Sequence, residues 1–189
     1  MMTRTHGVSG VAVWMTGDIV AQLTHIPLPR TVVLAGAIAT YVAAKAPDVD
    51  HPDSRPGHIL NRVLPGAPYL INRLLGHRGV THWAITGIFL GILVGLVGQT
   101  IPDGVLSIIG GLITGLLVMR AIRRFRRRLW GVGIIVGIII SATITITPTA
   151  IWGIGVAVTV GWTTHILGDC LTYQGAPALG PFTLRPVRT

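Results

Sequence analysis

Glutamate is absent from this 189-residue chain, and lysine and cysteine each occur once. Without glutamate there can be no HExxH zinc-protease helix, and the GxSxG and Walker-type phosphate-loop patterns are missing as well. The sole cysteine, Cys170, excludes an internal disulfide. Charge of either sign is scarce at 11% of residues, and the mean hydropathy of +0.68 lies outside the usual soluble range. These shortages point to a membrane protein before any motif is read. Arg4 precedes an apolar stretch, but Asp18 interrupts it and no small-residue cleavage site follows. No removable signal peptide is expected.

What charge there is has a pattern. All six acidic residues are aspartates, and the net charge is +9. Such a balance fits nucleic acid or anionic lipid, and position decides between them. Six arginines crowd between Arg120 and Arg128, wedged between two apolar runs, as in a cytoplasmic loop. Membrane lipids are therefore the expected partner and nucleic acid is not.

Six stretches are long enough to approach the roughly 20 residues that a spanning helix needs. They cover about 8–24, 31–46, 83–101, 104–119, 130–147 and 150–168. The expected fold is an all-α polytopic helical bundle forming one membrane-embedded domain over 1–189. Several stretches are glycine-rich, which lets helix backbones approach closely in lipid. Short connections carrying Pro27 and Pro29, Pro102, and Pro148 read as hairpin turns. The longer connections are a polar loop at 46–82, the basic loop at 120–128 and the C-terminal tail. If all six stretches span, these three and the N-terminus share one side. The positive-inside rule makes that side cytoplasmic, since the opposite loops hold only Arg30 as a cation.

Four polar clusters fall on that same side: His6, the PDVDHP run from Pro47, HRGVTH from His77 to His82, and HILGD from His165 to Asp169. His165 and Asp169, four apart near a helix end, project from one face. Asp48 and Asp50, two apart on an extended chain, point the same way beside His51, and neighbouring carboxylates repel unless a cation lies between them. His77 and His82 are about 140° apart on a helix, so a bend at Gly79 is needed to bring them together. Arg78 suits a substrate phosphate or carboxylate, or the lipid headgroups. Asp18, inside the first stretch, is a functional group or a paired one. His25, His58 and Asp103 read as structural.

In their order along the chain, THG from Thr5, PDVDHP, GHRGVTH from Gly76, and THILGDCLTYQG from Thr164 to Gly175 resemble the YdjM-like family. That family is described as inner-membrane-associated, LexA-regulated, metal-dependent hydrolases. Two positions depart from its pattern: Trp83 and Thr164 stand where serine is usual, and only Thr164 keeps the hydroxyl. A more distant similarity links the set to zinc-dependent phospholipase C and nuclease sites.

The combined expectation is an inner-membrane hydrolase with both termini cytoplasmic. Its divalent metal is zinc, with manganese or iron as alternatives, held by some of His6, Asp48, Asp50, His51, His77, His82, His165 and Asp169. Asp50 and His82 are the expected acid-base residues, and Arg78 neutralises an anionic substrate, a lipid or membrane-bound phosphoester. Two alternatives stay open. One is a non-catalytic anchor or regulator with a structural metal. The other is an ion transporter, which calls for ionisable groups across the bilayer, where only Asp18 lies.

Overall fold

A computed structural model describes residues 2–101, 105, 135, 148–172, 174–183 and 185–187. Among them the chain is all-helical, with one isolated antiparallel bridge between Ala176 and Val187. The α-helices are α1 (Met2–Leu23), α2 (Arg30–Ala43), α3 (Arg55–Val63), α4 (Ala67–Leu75), α5 (Ala84–Thr100) and α6 (Pro148–Cys170), with 3-10 turns at Ala46–Asp50 and Val80–His82. Two compact units divide the chain, residues 1–95 with 152–189 and residues 96–151. In the second, the described residues place Gly98 against the side chain of Ile151.

Among the described residues, two stretches, Arg30–Asp50 and Ala150–Cys170, are each 21 residues long and apolar enough to cross a membrane. They coincide with the expected spans at 31–46 and 150–168. The apolar α5 matches 83–101 but has only 17 residues. The stretch 8–24 falls on α1, which carries Asp18, while 104–119, 130–147 and the basic loop 120–128 lie outside the described residues.

Close packing in the first unit follows from small residues. Gly87, Gly91 and Gly95 recur every four residues on α5 and face Trp162, Gly155 with Thr159, and Trp152 of α6. At Gly91 an added Cβ would strike the backbone carbonyl of Gly155, so only glycine fits. Gly161 of α6 packs on Thr40 and Ala43 of α2, and the Thr40 hydroxyl donates to the Ala157 carbonyl at 3.0 Å. The Trp14 indole of α1 donates to the Val33 carbonyl of α2 at 2.9 Å.

The connection at 46–82 is folded rather than an open loop. Pro47 sits at the start of the first 3-10 turn, and the Ser54 hydroxyl caps α3 by accepting from the Gly57 N–H at 2.9 Å. Gly66 and Gly76 bound α4 with φ of 84° and 73°, values that a side chain disfavours. The bend expected at Gly79 is there: the chain bends at that residue, which has φ of −80° and ψ of −131°, and Arg78 beside it has φ of 62°. Gly79 is needed for space, since a Cβ there would meet the Leu75 carbonyl.

Candidate metal centre

The start of α1, the turn after α2, the turn before α5 and the end of α6 meet at one place. They bring His6, Asp48, Asp50, His82, His165 and Asp169 together, and all but Asp48 are buried. Asp50, His82 and His165 are 0% exposed, an unusual depth for ionisable groups without partners of opposite charge or a metal.

Asp169 is the hub. Its Oδ1 lies 3.4 Å from His6 Nε2, and its Oδ2 lies 3.4 Å from His82 Nε2, 3.7 Å from His165 Nε2 and 3.3 Å from the Arg78 guanidinium. Asp48 Oδ1 is 3.5 Å from His165 Nε2. These imidazole-to-carboxylate gaps exceed a good N–H···O hydrogen bond. Among the described residues, the buried Nε2 atoms of His82 and His165 have no hydrogen-bond partner.

The opposite edge of each ring explains which nitrogen is free. His165 Nδ1 lies 2.9 Å from the Ala44 carbonyl, which can only accept, so Nδ1 carries the proton and Nε2 a lone pair in the neutral ring. The Thr81 hydroxyl donates to Asp50 Oδ2 at 2.6 Å and lies 3.0 Å from His82 Nδ1, whose proton it accepts. In the neutral ring, His82 Nε2 is thereby also left with its lone pair. His82 stands outside the apolar helices. Burial pulls its pKa down, but the negative carboxylates of Asp169 and Asp50 beside it prevail and hold it above the usual histidine value.

Among the described residues, two groups of side chains have the geometry to hold a metal ion: His6, His165 and Asp169, and Asp48, His82 and His165, with the ligand atoms of each group within 4.8 Å of one another. Two ligand atoms on a tetrahedral ion at 2.0–2.2 Å stand about 3.3–3.6 Å apart. The gaps of 3.4, 3.4 and 3.5 Å match that edge, and 3.7 Å lies just beyond it. His165 Nε2 has one lone pair, so the two groups describe one centre sharing His165 rather than two ions that both depend on it.

The other expected site residues have different surroundings. Both oxygens of Asp50 are taken: Oδ1 lies 3.1 Å from His77 Nδ1, and Oδ2 accepts from the Arg78 N–H at 2.9 Å and from Thr81. Asp50 thus stands behind His82 rather than among the converging atoms. His77 flanks Asp50, and His51 lies edge-on to it, with its Nδ1 accepting from the Asp53 N–H at 3.2 Å. Neither belongs to the two ligand groups. The Arg78 guanidinium reaches Asp169 and donates to the Gly175 carbonyl at 2.6 Å, tying the tail to the centre. Trp83 sits with its indole against Gly180 of the tail.

Three supporting residues escaped the sequence reading. Thr81 links Asp50 to His82. Asn72 of α4 donates to the Asp50 carbonyl at 2.9 Å. Gly168 leaves room for His6, whose ring atoms would stand 2.8 Å from an added Cβ. For Thr81 and Gly168 the available signal was their position inside the HRGVTH and HILGD motifs. For Asn72 there was none.

Among the described residues, the fold and site therefore define an all-helical protein with helices long and apolar enough to cross a membrane and a buried histidine–aspartate centre. A family model described as YdjM inner membrane protein matches residues 1–189, and the chain belongs to that family. No curated protein and no solved structure matches it.

Proposed function

We propose that this protein is a membrane-embedded, metal-dependent hydrolase acting on a lipid or membrane-associated phosphoester at the cytoplasmic face. The observation that carries the reading is the pair of buried, unpartnered Nε2 atoms of His82 and His165, facing Asp48 and Asp169 across gaps of tetrahedral-edge length. The donor set of imidazoles and carboxylates fits zinc first, then manganese or iron. Asp48, His82 and His165 would hold the ion, with Asp169 beside both histidines and His6 on its second oxygen. A bound divalent ion supplies Lewis-acid activation of water and of the scissile bond.

The chain's own residues do the rest. Asp50, through Thr81, fixes the His82 ring in the tautomer that presents Nε2. Arg78 balances the charge of Asp169 and holds the tail near the centre. His77, whose side chain is 39% exposed and hydrogen-bonded to Asp50, is the group positioned to exchange a proton with solvent or a leaving group. The six-span arrangement belongs to the same proposal. Four helix ends meeting at the centre require an even number of crossings between α5 and α6, which the apolar stretches 104–119 and 130–147 would supply. The positive-inside rule assigns the side that bears the arginine run, and both termini with it, to the cytoplasm.

The test has two parts. Protein purified without chelators is expected to carry about one transition-metal ion per chain by elemental analysis, and its absence would remove the ligand proposal. A lipid-phosphoester panel is then turned over by wild type and by Asp169→Asn. Turnover by wild type that vanishes in the variant supports hydrolysis. Bound metal without turnover of any member of the panel favours the regulator with a structural metal.

A further inference from the structure

We propose that α3 and α4 form an interfacial hairpin that docks on anionic phospholipid headgroups beside the centre. The inference stands on the surface of the hairpin and holds whether or not the centre is catalytic. Each helix has nine residues, about 14 Å, which is less than half the hydrocarbon thickness, so neither can span. Yet each turns large apolar side chains outward. Ile59 and Val63 on α3 and Leu70 and Leu74 on α4 are between 56% and 72% exposed.

Cations share these outward faces. Arg55 and Arg62 lie three or four positions from Ile59, and Arg73 lies three from Leu70 and next to Leu74; all three arginines are exposed. No acidic residue occurs from Ser54 through Pro102, so nothing on the hairpin offsets them. A short helix with apolar and arginine side chains on one exposed face lies in the plane of a membrane, with the apolar groups at the acyl boundary and the guanidinium groups at phosphate depth. An aqueous protein partner would account for the apolar residues but not for uncompensated arginines interleaved with them on a member of an inner membrane protein family.

The inward faces connect the hairpin to the backbone of the turn that carries Asp48 and Asp50. Asn72 of α4 donates to the Asp50 carbonyl, and Ser54, the cap of α3, donates to the Asp48 carbonyl at 2.6 Å. Docking thus sets the depth of the turn that carries both aspartates and presents the centre to headgroups.

Full-length protein in lipid nanodiscs tests this. A nitroxide is placed at Leu70, with an exposed reference label at Asp53, in a background where buried Cys170 is replaced by alanine. Spin relaxation by oxygen and by a water-soluble paramagnetic reagent reports depth. In nanodiscs rich in phosphatidylglycerol, the Leu70 label is expected to be reached by oxygen and shielded from the aqueous reagent, while the Asp53 label is not shielded. R62E/R73E is expected to move the Leu70 label toward water, since each arginine contributes about fivefold to partitioning on an anionic surface. Full aqueous access at Leu70 overturns the proposal, as does shielding from both reagents, which marks burial against protein. Equal depth in purely zwitterionic nanodiscs overturns the role given to the arginines.

Discussion

Thr81 shows how much of the centre depends on a single hydroxyl. Its one proton goes to Asp50, so it can only accept from His82 Nδ1, and the lone pair of the neutral ring is left by that chain of donors on the nitrogen that faces Asp169. Thr81→Val removes the acceptor while keeping the shape. It is expected to weaken metal binding roughly tenfold, as losses of ligand-orienting partners do, whereas Thr81→Ser retains near wild-type affinity. Competitive titration with a chromogenic chelator measures both, and equal affinities for all three proteins would remove Thr81 from the role. The same histidine sets a pH dependence. His82 holds its proton above the usual histidine value in the metal-free protein, and metal must displace that proton, so affinity rises as the pH is raised through and beyond the usual histidine range. Calorimetry in buffers of different ionisation enthalpy should register proton release on binding at the lower pH, and none would contradict the assignment of Nε2 as a ligand atom. The residue types of the site were legible in the sequence, but the division of labour among them was not. Aspartate and histidine serve equally as ligands or as supports, and only the positions of Thr81, the Arg78 N–H and His77 reveal that both Asp50 oxygens are already engaged.

Glycine spacing was the most readable feature at the level of elements. The run in α5 implied close helix contact, and Gly87, Gly91 and Gly95 do face α6 at distances that exclude a side chain. Gly91→Val is expected to destabilise the protein by about 1–3 kcal/mol through overpacking, because the obstructing atom is the Gly155 backbone carbonyl and cannot rotate away. Thermal unfolding in detergent would register this as a lower midpoint than for Gly17→Val, where an added Cβ meets nothing within 4 Å. Gly168→Ala acts differently: its methyl would push the His6 ring from the centre, so metal affinity should fall more than stability. The short helices of the 46–82 segment were not legible. Nine-residue helices are marginal in isolation and are held here by Ser54, Pro56, Pro68 and the bond from Asn72, contacts that become visible only once the chain has folded back on the Asp48–Asp50 turn.

At the scale of the whole molecule, the expectation that the four polar clusters share one face rested on a count of crossings. Clusters separated by more than 150 residues could meet only if the helix ends carrying them shared one face. The starts of α1 and α5 and the ends of α2 and α6 do meet. What fixes the face relative to the cytoplasm is charge, and in this chain it is concentrated between Arg120 and Arg128. Replacing those six arginines by glutamine removes the largest topogenic signal while leaving the centre's own residues untouched. A fusion of alkaline phosphatase to the C-terminus, inactive in the cytoplasm, is expected to be silent on the wild-type chain and to gain activity on the arginine-free variant as a fraction of molecules inserts inverted. A wild-type fusion already active would reverse the orientation, and with it the claim that the centre addresses cytoplasmic substrates. The histidine–aspartate geometry would be unaffected, because it depends on which helix ends meet and not on which side of the membrane they meet.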